Sequence, residues 1–174
     1  MTATEIYESV SNGGVGDFAE VAAILNRTGE WCLIGGLAVN CYVEPVYTMD
    51  ADFVAITENQ DAIRTDLRMA GFAIQEFPHS FNAKKSASKL SLQFSTDLRY
   101  QDFPARAQPR EVLGIVVPVA ALDDLIQGKL LAWRDPARRL SKRKKDELDL
   151  IRIAEAYPEK KTAMPTDLTS QLPD

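Results

Sequence analysis

Apolar residues recur with helical spacing over residues 17–28, at Phe18, Val21, Ala22, Ile24 and Leu25, and the stripe stops at Gly29, a favoured helix terminator. The period then changes. Residues 31–34 are a short apolar run read as a strand, the pair Gly35-Gly36 interrupts it, and good helix formers around Leu37 and Ala38 predict a short helix. Over residues 50–56 the alternation is two-fold, so Asp50 and Asp52 fall on one side of a strand while Ala51 and Phe53 fall on the other. Residues 58–70 are helical again, with Ile63, Leu67 and Ala70 on one side and Gly71 after them. Residues 72–77 and 90–95 read as paired strands, and 114–117 as another, ended by Pro118. In the strand around residues 89–96, Leu90, Leu92 and Phe94 form one face and Ser91, Gln93 and Ser95 the other.

Two long amphipathic segments close the pattern. Residues 120–133 carry Leu122, Leu125, Ile126, Leu130 and Trp133, and the helix stops near Asp135-Pro136 because the residue before a proline disfavours helix. Residues 142–157 form the last helix, with Leu148, Ile151 and Ala154 turned inward and Asp146, Asp149 and Lys142 on a shared face. Lys129 and Asp146 are thereby placed to meet across two antiparallel helices. The expected fold class is α/β (α+β): a mixed sheet flanked by helices, with a C-terminal helix pair, in one domain over residues 1–158. Residues 159–174, polar and containing Pro165 and Pro173, are predicted to be a loosely held tail.

Composition narrows the function classes. A chain of 174 residues, 45% hydrophobic, suits a single substantial core. No apolar run approaches membrane-spanning length, and Glu5 and Glu8 stand where a secretion signal carries basic residues, so neither a span nor a signal is expected. Cys32 and Cys41 fit no metal spacing and lie in apolar surroundings, which predicts reduced thiols and a cytoplasmic location. The single histidine, His79, excludes a histidine-rich zinc site. After it, Lys84, Lys85 and Ser86 sit in a polar stretch that reads either as a solvated connection or as a loop closing over phosphates. A net charge of −5 argues against a generic nucleic-acid coat. One segment runs against that balance: Arg134, Arg138, Arg139, Lys142, Arg143, Lys144 and Lys145 are opposed by Asp135 alone. It reads as a solvated interhelical turn, or as a contact for nucleotide phosphates or an RNA end.

The chemistry concentrates between residues 35 and 52. Two carboxylates side by side repel unless a cation lies between them, and Mg²⁺ (or Mn²⁺) takes a few such oxygens while keeping positions for water and phosphates. Glycines permit close backbone approach, and a helix opening just after them points unpaired N–H groups outward, which suits a phosphate. The elements G-G-x-A-x-N, from Gly35 to Asn40, and T-x-D-x-D-F-V, from Thr48 to Val54, together resemble the active-site signature of the DNA polymerase beta nucleotidyltransferase superfamily. That resemblance implies a nucleotidyltransferase core in which Gly35, Gly36 and Thr48 serve the nucleotide and Asp50 and Asp52 hold the metal as catalytic acids. Downstream, Lys129-Leu-Leu-Ala and Lys145-Asp146-Glu-Leu-Asp149-Leu150 resemble the K-L-x-A…R-D-x-x-D-L pattern of the abortive-infection (AbiEii-like) toxin-type nucleotidyltransferases. This second likeness implies active-site roles for Lys129, also toward nucleotide, and for Asp146, and a cognate antitoxin or toxin as a partner.

Two departures stand against the pattern. Relatives often carry an arginine two residues before the threonine, where this chain has Val46, and Gln93 occupies the position expected for a third carboxylate. Asp97 follows in the same phase as Gln93 and is the alternative third ligand if the strand extends. Three functional readings follow: metal-dependent transfer of NMP from an NTP to an RNA, protein or small-molecule acceptor; a degenerate fold that binds nucleotide or a partner without chemistry; and an interaction module of a toxin–antitoxin pair.

Overall fold

The computed structural model describes residues 2–172. Its elements, in chain order, are α1 (Ala3–Ser11), α2 (Gly14–Thr28), β1 (Trp31–Ile34), α3 (Gly35–Val39), β2 (Asp50–Ala55), α4 (Gln60–Met69), β3 (Ala73–Phe77), β4 (Ser80–Lys84), β5 (Ser91–Ser95), β6 (Gln108–Val112), β7 (Ile115–Val119), α5 (Leu122–Arg134), α6 (Leu140–Ala156) and α7 (Thr166–Thr169). The strands form one seven-stranded mixed sheet in the order β3-β4-β5-β2-β1-β7-β6. This is the expected α/β architecture, with the C-terminal helix pair formed by α5 and α6.

Period two along the central strands separates core from chemistry. β2 runs parallel to β5 with Phe53 opposite Phe94, and β4 is antiparallel to β5 with Phe81 opposite Phe94. These rings, with Phe18 of α2, form a continuous stack whose successive centroids lie 5.9, 5.0 and 4.6 Å apart. Each contact of this kind adds about 0.5–1.5 kcal/mol beyond area burial. The side chains that alternate with them, Asp50 and Asp52 on β2 and Ser91, Gln93 and Ser95 on β5, therefore project from the opposite face of the sheet.

Several elements differ from the sequence-based expectation. The polar stretch after His79 is a strand, β4, interposed between β3 and β5, because Phe81 and Ala83 alternate inward and are buried. Residues 72–77 and 90–95 are thus not direct partners. Pro118 lies within β7, opposite Pro109 of the edge strand β6, where a missing N–H is tolerated. The amino-terminal helix α1 is closed by a reciprocal capping box between Thr2 and Glu5. Residues beyond Pro158 do not form a loose tail as far as they are described: Met164 and Leu168 are buried, and α7 contacts α6. Cys32 and Cys41 are free thiols. Among the described residues, no helix is long and apolar enough to cross a membrane.

Candidate active site

Asp50 and Asp52 open onto one cleft of about 260 Å³, roofed by α5 and α6 and also lined by Gly36, Thr48, Gln93 and Lys129. The expected pairing of the two acids on one side of β2 is what the strand register produces. Asp52 lies opposite Ile34 on β1 and opposite Gln93 on β5, at the base of the cleft. Its carboxyl is pushed up from 3.8 to about 6, chiefly by burial; Lys129 works against that shift and Asp50 adds to it.

The glycine turn abuts this carboxylate directly. Gly35 has φ +74°, and a Cβ there would stand 2.1 Å from Asp52 Oδ2. The first glycine is therefore needed for the close approach of Asp52, a role distinct from the phosphate contact expected of it. Gly36 faces Thr48, whose side chain a Cβ would meet at 3.7 Å. Thr48 is itself pinned: its hydroxyl accepts the Asp50 N–H at 3.2 Å, and its carbonyl accepts the Tyr7 hydroxyl at 2.8 Å.

The helix pair supplies the cations. Lys129 on α5 reaches Asp146 at 2.9 Å and Asp149 at 2.6 Å on α6, so the predicted meeting across antiparallel helices is present. Burial opposes the charge of Lys129, but Asp149 and Asp146 outweigh it and hold the ammonium above the usual lysine range. The second oxygen of Asp146 takes Arg138 at 2.7 Å. Asp149 also binds Arg152 at 2.7 Å. Asp146 and Asp149 thus hold Lys129 between the two helices, with Arg138 on the second oxygen of Asp146.

Two further residues, Lys142 and Asn40, tie the cleft together across the fold. Lys142, one helical turn before Asp146, turns its ammonium across the cleft to Asp50 Oδ2 at 2.7 Å. Asn40, the last position of the G-G-x-A-x-N motif, clamps the loop after α3: its amide donates to the Val46 carbonyl at 2.7 Å, and its oxygen accepts the Val46 N–H at 3.1 Å and Arg152 at 2.9 Å. From the basic segment, Arg138, Lys142 and Lys145 line the cleft. Lys144 instead pairs with Glu147, and Arg143 donates to the Trp133 carbonyl. Leu148, expected inward, is 49% exposed at the cleft edge.

Asp97 is not brought to the pair. It lies beyond the end of β5, caps the following turn, and is held below the usual carboxylate range by its hydrogen bonds to Arg99. Among the described residues, no three His, Cys, Asp or Glu side chains converge on a potential metal position. The donor set near Asp52 is two carboxylates with the neutral amide of Gln93 beside them. That set fits Mg²⁺ or Mn²⁺, which bind through one or two carboxylates and retain water or phosphate oxygens.

No protein-family model and no curated protein matches this sequence. Solved structures do match the fold. The antibiotic-resistance factor ANT(2'')-Ia superposes with a TM-score of 0.59 at 16% identity, covering 90% of this chain and 91% of that one. A nucleotidyltransferase-like protein from Paracoccidioides brasiliensis gives 0.57 at 17% identity over 94% and 91%. JHP933 from Helicobacter pylori gives 0.54 at 20% identity over 93% and 73%. The chain thus shares the nucleotidyltransferase fold.

Proposed function

We propose that the protein is a metal-dependent nucleotidyltransferase that moves NMP from an NTP to an acceptor hydroxyl. The observation that carries this reading is the convergence of Asp50, Asp52, the Gly35 turn and Lys129 on one cleft of the shared fold. A divalent cation held by Asp50 and Asp52 would neutralise triphosphate charge and polarise the reacting phosphoryl group. The remaining work is positioning and electrostatics by the chain's own groups. The Gly35-Gly36 turn and Thr48 border the space for the phosphates, and Lys129 presents a fixed positive charge there, oriented by Asp146 and Asp149. The acceptor oxygen attacks the α-phosphorus, the bond to the bridging oxygen breaks, and pyrophosphate leaves. Gln93 takes no proton, so the hydroxyl proton of the acceptor passes to water as its oxygen attacks.

One neighbour was solved with adenylyl-2''-tobramycin, which makes an aminoglycoside-like polyol one acceptor class to try; Arg138, Lys142 and Lys145 on the cleft wall make an RNA end another. The test is incubation with each α-labelled NTP, Mg²⁺ or Mn²⁺, and aminoglycosides, total RNA or protein. Label transfer that disappears in Asp50→Ala supports the reading; no transfer, or transfer unaffected by that substitution, removes it. Gln93 opposite Asp52 favours one competing reading, nucleotide binding without turnover. That reading predicts thermal stabilisation by NTP with no product. The abortive-infection likeness adds a protein partner to the proposal, checked by co-purification with the product of an adjacent gene.

A further inference from the structure

Two of the four cations lining the cleft have partners that build the helix pair. Lys129 sits between Asp146 and Asp149, and Arg138 rests on Asp146. Lys142 is different. It crosses from the first turn of α6 to Asp50 Oδ2 at 2.7 Å, joining one of the two acids assigned above to the divalent cation. Its side chain is 39% exposed and that of Asp50 31%, so the contact lies at the solvent-accessible mouth of the cleft. An ammonium and a divalent ion compete for that oxygen and repel one another. With Lys142 in place, the mutual repulsion of Asp50 and Asp52 is relieved without a metal. The stem of Lys142 is flexible, and its head is the only part the contact fixes.

We propose that Lys142 is a placeholder cation: it neutralises Asp50 while the cleft is empty, gives way when a divalent ion enters, and then turns its charge to the triphosphate. The inference rests on the nucleotidyltransferase reading above. The ion entering alone must displace Lys142 with no new partner for the ammonium, whereas the ion entering with a nucleotide supplies one. Cation and nucleotide binding are therefore mutually reinforcing, and by linkage each strengthens the other by the same factor. The device discourages the cleft from filling with a bare metal ion.

Mn²⁺ titrations followed by electron paramagnetic resonance, with wild type, Lys142→Gln, Lys142→Ala and Asp50→Asn, each with and without a non-hydrolysable NTP analogue, test this directly. Without nucleotide, both Lys142 variants are expected to bind Mn²⁺ about tenfold or more tightly than wild type, as removal of a unit charge this close to the ion requires. The analogue is expected to tighten Mn²⁺ binding strongly in wild type and much less in the variants. Mn²⁺ binding that Asp50→Asn abolishes but neither Lys142 variant strengthens would overturn the placeholder and leave the cation site standing. Absence of Mn²⁺ binding in every form, or binding indifferent to Asp50→Asn, would overturn both.

Discussion

Asp52 has a stability cost that its surroundings impose. Its folded carboxyl titrates near 6 against an ordinary 3.8, so between these values the folded state holds a proton that the unfolded chain has released. Stability from this group is therefore present below about pH 4 and lost as pH rises toward 6. By about pH 7 the full penalty applies, about 1–2 kcal/mol once screening by cleft water is allowed for. Asp52→Asn removes it. Metal-free urea unfolding at intervals from pH 4 to pH 7 is expected to show the variant more stable at pH 7, with the difference shrinking toward pH 4. Asp17, also raised, tilts wild type and variant alike, so the difference isolates Asp52. An equal or lower stability of Asp52→Asn at pH 7 would contradict this account. Gly35 makes the complementary case: alanine there adds a left-handed strain of about 1–2 kcal/mol and a clash with Asp52 Oδ2. Gly35→Ala is expected to lower the melting temperature and to abolish Mn²⁺ binding, while Gly36→Ala, with ordinary contact distances, is expected to do neither.

At the scale of elements, α5 and α6 are joined by buried charge as well as by apolar packing. Lys129, Asp146 and Asp149 are all nearly buried, so removing the lysine alone leaves carboxylates short of a partner. Lys129→Met is expected to destabilise by about 3 kcal/mol, less than a fully orphaned pair because Arg138 and Arg152 remain. A double-mutant cycle with Asp146→Asn, read by denaturant unfolding, should return a coupling of about 1 kcal/mol or more; additivity would mean the contact is incidental. This pair was legible in the sequence because helical spacing fixes which face each residue occupies, and two antiparallel amphipathic helices leave few ways to meet. The same logic recovered β2 and β5 from their alternation. It failed for β4, where Phe81 and Ala83 are too few apolar positions among Asn and Lys residues to stand out from a loop. It failed too for β6, whose Pro109 and Arg110 mask an edge strand. Contacts made by long side chains across the fold, Lys142 to Asp50 and Arg152 to Asn40, leave no periodic trace because only tertiary structure brings those positions together.

Across the whole molecule, the carboxy-terminal segment closes the structure on the side where α6 would otherwise expose its back. Leu168 is fully buried and Met164 nearly so, Lys160 reaches Asp123 at the start of α5 at 2.6 Å, and the Tyr157 hydroxyl donates to the Tyr42 carbonyl at 3.0 Å. These contacts join the end of the helix pair to both α5 and the segment after α3, the elements that frame the cleft. Polar composition concealed this, because the segment docks through scattered apolar side chains, Met164 before α7 and Leu168 within it, that carry no helical period. Leu168→Ala should therefore cost about 2–4 kcal/mol, the usual penalty for emptying a buried leucine site, whereas a leucine in a loose tail would cost almost nothing. The Lys160 to Asp123 pair, open to solvent, should contribute little by comparison. Since α6 also carries Asp146, Asp149 and Lys142, loosening its back is expected to weaken Mn²⁺ and nucleotide binding along with stability. Parallel unfolding and binding measurements on Leu168→Ala check both; a stable variant with unchanged binding would show that the cleft is built without this segment.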